Sequence, residues 1–294
     1  MRRARGGASP GEAASARVRR MSTARCGMAA ALAVALVGCV RAPPPDLSRD
    51  PAALLSEVRA AQSRVARVRG SARVHVHSPN GRGTVQELVV AAKPDRLRLE
   101  TLDFFGNVAA VLVADGERFA LYDAQERTFY RGAPTPENVS RLLPVVMPPE
   151  MIVTILCGSA PLLAGQPLSV EVDRSQLVLT LAQGDLGQRL AIGEGAAVEA
   201  SLVRRAPGPG QEGSGGTSGY ELRFGDFRQR DGVRFPAEAS LRAGKATVEL
   251  AWGDDLEIDP PVDDAVFRLE PPRGARVVDL GPGRPPPDAP RARE

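Results

Sequence analysis

At 294 residues, 43% of them hydrophobic and 25% charged, the chain has a globular composition, long enough for one large domain or two small ones. Seven Arg against one Glu put +6 on residues 1–38, so the remainder carries −3 of the formal +3. A mildly acidic body, with Arg scattered along it and only two lysines (Lys93 and Lys245), gives no case for nucleic acid as a partner.

The leader comes first. Within MSTARCGMAAALAVALVGCV, Arg25 precedes an apolar run of 11 residues, Met28 to Gly38. As a helix this run reaches about 16 Å, half of the ~30 Å bilayer core, so it reads as the h-region of a secretory signal. Its end, Leu36-Val37-Gly38-Cys39, resembles a bacterial lipobox, in which the Cys thiol is acylated and becomes the new N-terminus. The alternative is an ordinary signal peptide with a chance cysteine. Translation starts at Met1 or Met21. On the lipobox reading, residues 1–38 are the signal peptide, 39–50 a Pro-rich tether, 51–280 one domain and 281–294 a disordered tail. Membrane lipid is then a partner through Cys39. Cys157 stands alone in the mature body and can form no intramolecular disulfide. Its apolar run, MIVTILCG, marks it as a buried small hydrophobe.

Asp50 is placed to cap a helix with Pro51 in its first turn. Leu54, Leu55, Val58, Ala61, Val65 and Val68 follow at helical spacing. From about residue 70 the period becomes two. Strands are predicted over 84–92, 95–101, 108–114, 117–123 and 127–131, joined by short Gly, Pro and Asp turns, which means antiparallel hairpins. A helical insert comes next, capped by Thr135, with one stripe at Val139, Leu142, Leu143 and Val146. A second stripe, Met151, Ile152, Ile155 and Leu156, is stopped by Gly158. Strands resume over 168–173, 176–183, 187–193, 197–205, 219–228, 233–242 and 244–252, with a further one at 265–269. Residues 206–219 read as a flexible excursion. The fold class is mainly β with short helices: an incomplete antiparallel barrel, or curled sheet, since so many strands must hide their edges.

Catalytic chemistry is sparse. His75 and His77 share one strand face without a third ligand, and read as a polar, solvent-facing strand edge. The Gly-rich 213–219 run lies in no βαβ unit. Asp254-Asp255 and Asp263-Asp264 sit beside turn residues. No acid, base or nucleophile set supports an enzyme, and no cofactor or metal is expected. What remains is apolar. Same-face stripes such as Leu177/Leu179/Leu181 and Val248/Leu250/Trp252 read as core. Part of that face lines an acyl-chain site together with a lid of Leu142, Leu143, Val146, Met151, Ile152, Ile155 and Leu156. An ordinary core is the competing reading.

This order of parts resembles the lipoprotein localisation superfamily, which comprises the periplasmic carrier LolA, the outer-membrane receptor LolB and related lipoproteins. Pro94-Asp-Arg-Leu-Arg-Leu-Glu100, followed by Asp103-Phe-Phe-Gly106, is similar to the family's Arg-rich strand and following turn. Tyr220-Glu-Leu-Arg-Phe224, with Phe235-Pro236, is similar to its late hairpin. Asp263 to Gly274 is similar to the closing F-x-x-x-P-P-x-G of the carriers. The resemblance implies a helical lid over an apolar cavity for lipoprotein acyl chains. It also implies a periplasmic carrier as partner and a lipid-anchored, periplasm-facing place on the bacterial outer membrane. In the receptor, one apolar residue on a turn between two early strands dips into the membrane. Phe105 falls at the matching place, with Phe104 at the preceding, usually proline, position. Alternation predicts one ring outward and leaves open that the other folds into the core. The anchor and turn match the receptor, the C-terminal motif looks like the carrier, and the 206–219 excursion matches neither. Two functions follow: acyl-chain binding that assists lipoprotein localisation or insertion, or a non-catalytic envelope sensor or scaffold.

Overall fold

The computed structural model describes residues 46–79, 81–141, 143, 145–206 and 219–281. The leader with Cys39, most of the tether, Leu142, nearly all of the 206–219 excursion and the tail from residue 282 lie outside the described residues.

The elements in order are α1 (Pro51–Gln62), β1 (Arg67–Ser78), β2 (Gly81–Ala92), β3 (Arg96–Leu102), β4 (Val108–Asp115), β5 (Phe119–Asp123) and β6 (Thr128–Gly132). Then come α2 (Pro136–Val139), α3 (Pro149–Leu156), β7 (Gln166–Asp173), β8 (Gln176–Gln183), β9 (Leu186–Ile192) and β10 (Val198–Arg205). β11 (Gly219–Arg230), β12 (Val233–Ala243), β13 (Ala246–Trp252), β14 (Glu257–Ile258) and β15 (Arg276–Asp279) close the chain. They form one sheet in the order β15-β6-β5-β4-β3-β2-β1-β13-β12-β11-β10-β9-β8-β7, with β14 paired to β1. Two meanders therefore meet where β1 pairs β13, Ala72 opposite Trp252 and Val76 opposite Val248. The two end strands, β15 and β7, do not pair with each other, so the sheet is an unclosed barrel of the expected fold class.

Alternation builds the concave face. In β1, Val68, Ala72 and Val74 are buried, whereas Arg69, Arg73 and His75 are exposed. The same phase runs through Val89 and Ala91 of β2, Leu97 and Leu99 of β3, and Leu177, Leu179 and Leu181 of β8, all in one core cluster. A smaller cluster sits on the convex face, where Phe267 covers Ala92, Val111 and Val113.

Several expectations need correcting. The first helix ends at Gln62, and Val68 belongs to β1. Its burial follows the strand period, which the helical spacing of Val65 and Val68 mimicked. Among the described residues, the first helix of the insert stops at Val139 and does not carry the stripe on to Val146. α2 is four residues, capped by the Thr135 side chain on Asn138 N. Residues 265–269 are not a strand, since Asp264–Phe267 is a 3₁₀ turn capped by the Asp263 carboxylate. β15 was not expected; it joins β6 in parallel, Arg276 opposite Thr128.

Candidate functional site

Under the insert, the concave face leaves a cavity of about 100 Å³. Its walls are Val74, Val89 and Leu99 from β1–β3, Ala239, Leu241, Val248 and Leu250 from β12 and β13, and Leu143, Val145, Met147, Ile152, Ile155 and Leu156 from the insert and α3. The remaining lining residue is Glu87. It is 6% exposed. Thr101 Oγ1 donates to Glu87 Oε1 at 2.8 Å, while Glu87 Oε2 is buried without a hydrogen-bond partner among the described residues. Burial pushes this carboxyl up to about 7, against the smaller downward pull of the Thr101 hydrogen bond.

The lid residues divide. Leu143, Ile152, Ile155 and Leu156 line the cavity. Met151 is half-buried and packs against the core without lining the cavity. Val146 does not line it either; it is 69% exposed. Val145 and Met147 are buried and line the cavity while Val146 between them faces out, so Val146 does not share a stripe with Val139. Among the described residues, no backbone–backbone hydrogen bond involves 145–147. α3 stops at Gly158, whose φ of +68° suits glycine. A Cβ there would sit 2.8 Å from the Phe235 ring.

The turn between β3 and β4 displays both phenylalanines, Phe104 at 97% and Phe105 at 85% exposure. The alternation that turned one ring inward does not apply, because the two residues sit in a turn rather than a strand. Asp103 builds it: its Oδ1 accepts from Phe105 N at 2.9 Å and Asn107 N at 2.8 Å, and Gly106 takes φ +82°. Those hydrogen bonds, chiefly from Asn107, hold the Asp103 carboxyl below its ordinary range. The two rings meet edge to face, centroids 5.6 Å apart.

No family model and no curated protein sequence matches this chain. Solved structures do. A DUF1329 family protein from Desulfovibrio piger is 11% identical over 75% of this chain and 98% of its own, with a TM-score of 0.53. A LolA superfamily protein from Nitrosomonas europaea is 9% identical over 74% of this chain and 97% of its own, with a TM-score of 0.49. The first likeness is one of fold alone.

Sequence reasoning missed Glu87. The signal was present in Val85-Gln-Glu-Leu-Val89, where a carboxylate falls in phase with the inward Val89 and Ala91 of β2. The other polar candidates have structural work. Asp255 accepts from Ser71 N and Oγ, Asp263 caps a turn, and Asp264 pairs with Arg96. His75 and His77 are exposed, on a strand inside the sheet rather than at its edge; His75 Nδ1 lies 2.7 Å from Thr84 Oγ1. Cys157 is 1% exposed, and burial pushes its thiol up to about 12.

Proposed function

We propose that this protein is a non-catalytic, membrane-anchored lipoprotein. It takes acyl chains of lipoproteins or lipids into its apolar cavity and assists their localisation or insertion at the outer membrane. The observation that carries this reading is the cavity itself. It lies between a concave sheet and an insert whose Leu143, Val145 and Met147 side chains line it. Moving an acyl chain out of water there is favourable by about 0.8 kcal/mol per buried CH₂. Cys39 as lipid anchor and the exposed Phe104 and Phe105 give the domain two points of contact with a bilayer, and a periplasmic carrier would deliver the cargo.

Mass spectrometry of organic extracts from the purified, non-acylated protein tests this, with acyl-bearing lipid expected to co-purify. A photo-crosslinker at Ile155 should capture lipoprotein in cells. Lipid-free protein together with no adduct overturns the reading. One observation favours the second reading, an envelope sensor or scaffold. An apolar cavity of about 150 Å³ admits benzene, so the present 100 Å³ takes only a few carbons unless the insert lifts. A stable protein partner in a pull-down, with no lipid retained, decides for it.

A further inference from the structure

Several buried polar side chains elsewhere in this fold are matched. Gln188, fully buried, accepts from Leu163 N at 2.8 Å and donates to Pro161 O at 2.7 Å and Ser201 Oγ at 2.9 Å. Asn138 Nδ2 donates to Ala133 O at 2.8 Å. Two buried side-chain atoms stand unmatched among the described residues: Arg67 Nε, which does not line the cavity, and Glu87 Oε2, whose side chain does. A buried polar atom left without a partner costs about 1–3 kcal/mol. Here the cost falls at the one titratable residue, among the described residues, of an otherwise apolar wall. Core packing gives no reason for it, because the neighbouring inward positions of β2 are Val89 and Ala91. A ligand that brings a donor into the cavity removes the cost on binding.

We propose that Glu87 is the polar recognition point of the cavity, receiving a hydroxyl or amide N–H at the head end of an amphiphile whose apolar part lies against the lid. The inference deepens the acyl-binding reading and rests on it. It makes the ligand a donor-bearing amphiphile rather than a plain hydrocarbon chain, and Glu87 the residue that discriminates. Thr101 fixes the carboxyl by occupying Oε1, which leaves Oε2 for the ligand. Among the described residues, no titratable group other than Glu87 lines the cavity from β1, β3, the insert, α3, β12 or β13. The preference for a donor should therefore follow this carboxyl alone. It is strongest where Glu87 is ionised and can only accept. It weakens at acid pH, where the protonated carboxyl also donates to an ether oxygen.

1-Octanol and heptyl methyl ether are isomers that differ in the donor, and isothermal titration calorimetry of each against the purified protein is the test. At pH 8.5 the protein should bind octanol about tenfold more tightly than the ether, with a smaller ratio at pH 5.5. Glu87→Leu should bind both with no preference at either pH. Glu87→Gln, isosteric and uncharged, guards against misfolding of the Leu variant and should keep a preference that no longer changes with pH. Equal binding of the two isomers by the unmodified protein overturns the role of Glu87 and leaves the apolar cavity standing. Binding of neither isomer by the unmodified protein or by Glu87→Leu overturns the cavity reading as well.

Discussion

Glu87 is held in a setting that favours its neutral form, and this has a consequence for stability as well as for recognition. Its folded value, about 7, lies above its ordinary 4.5, so the folded state keeps the proton longer than the unfolded chain. Stability from this group is therefore full below about pH 4.5 and falls as pH rises towards 7. At about 1.4 kcal/mol per unit, the total loss is about 3 kcal/mol. Urea unfolding at pH 5 and pH 8 should show the protein weaker at pH 8 by most of that amount, and Glu87→Gln should remove the difference. Phe104 and Phe105 make the opposite case. Both rings are almost wholly exposed, so Phe105→Glu should change stability by under about 0.5 kcal/mol. In a flotation assay with liposomes it should reduce association of the non-acylated domain. Loss of folding in this variant would mean that the turn packs against the body.

At the scale of elements, the strands were legible because alternation and the turn residues agreed. Asp231-Gly232 separates β11 from β12, and Gly244-Lys245 separates β12 from β13. The insert was not legible. Its apolar residues at 139, 143 and 146 fit a helical spacing, while 143, 145 and 147 fit a period of two, and it is the second set that faces the cavity. β15 was missed because four residues that pair in parallel with β6 carry no turn signal linking them to it. Part of the lid was legible, since Leu143, Ile152, Ile155 and Leu156 line the cavity. Glu87 was not, because the strand residues before it (Gly81 to Thr84) are exposed and a lone carboxylate beyond them carries no period of its own that marks it as inward. The lid yields a prediction of its own. Ile155 is half-buried on α3 and lines the cavity. Ile155→Trp should fill the space at a cost of about 1–3 kcal/mol. Lipid recovered from purified protein should fall, with the circular dichroism spectrum unchanged.

For the whole molecule, the sheet has two faces with separate tasks. The concave face holds the main core and the cavity. The convex face is covered locally by the returning chain, where Phe267 packs on Val111 and Val113. The Arg96 guanidinium lies 5.2 Å from the Phe267 ring centroid, and Arg98 Nη1 donates to Val266 O at 3.1 Å. β4 between the faces is buried on both, with Leu112 inward and Val111 outward. The strap thus secures the sheet without entering the cavity. Phe267→Ala leaves a hole the size of a ring on the convex side and should cost about 3–5 kcal/mol, read as a lower urea midpoint. Where the variant is still folded, its affinity for 1-octanol should stay within about twofold of the unmodified protein, because a packing loss of this kind acts on the unfolding equilibrium and not on the opposite face. A parallel loss of affinity would mean that the curvature of the sheet, set in part by the strap, also sets the width of the cavity.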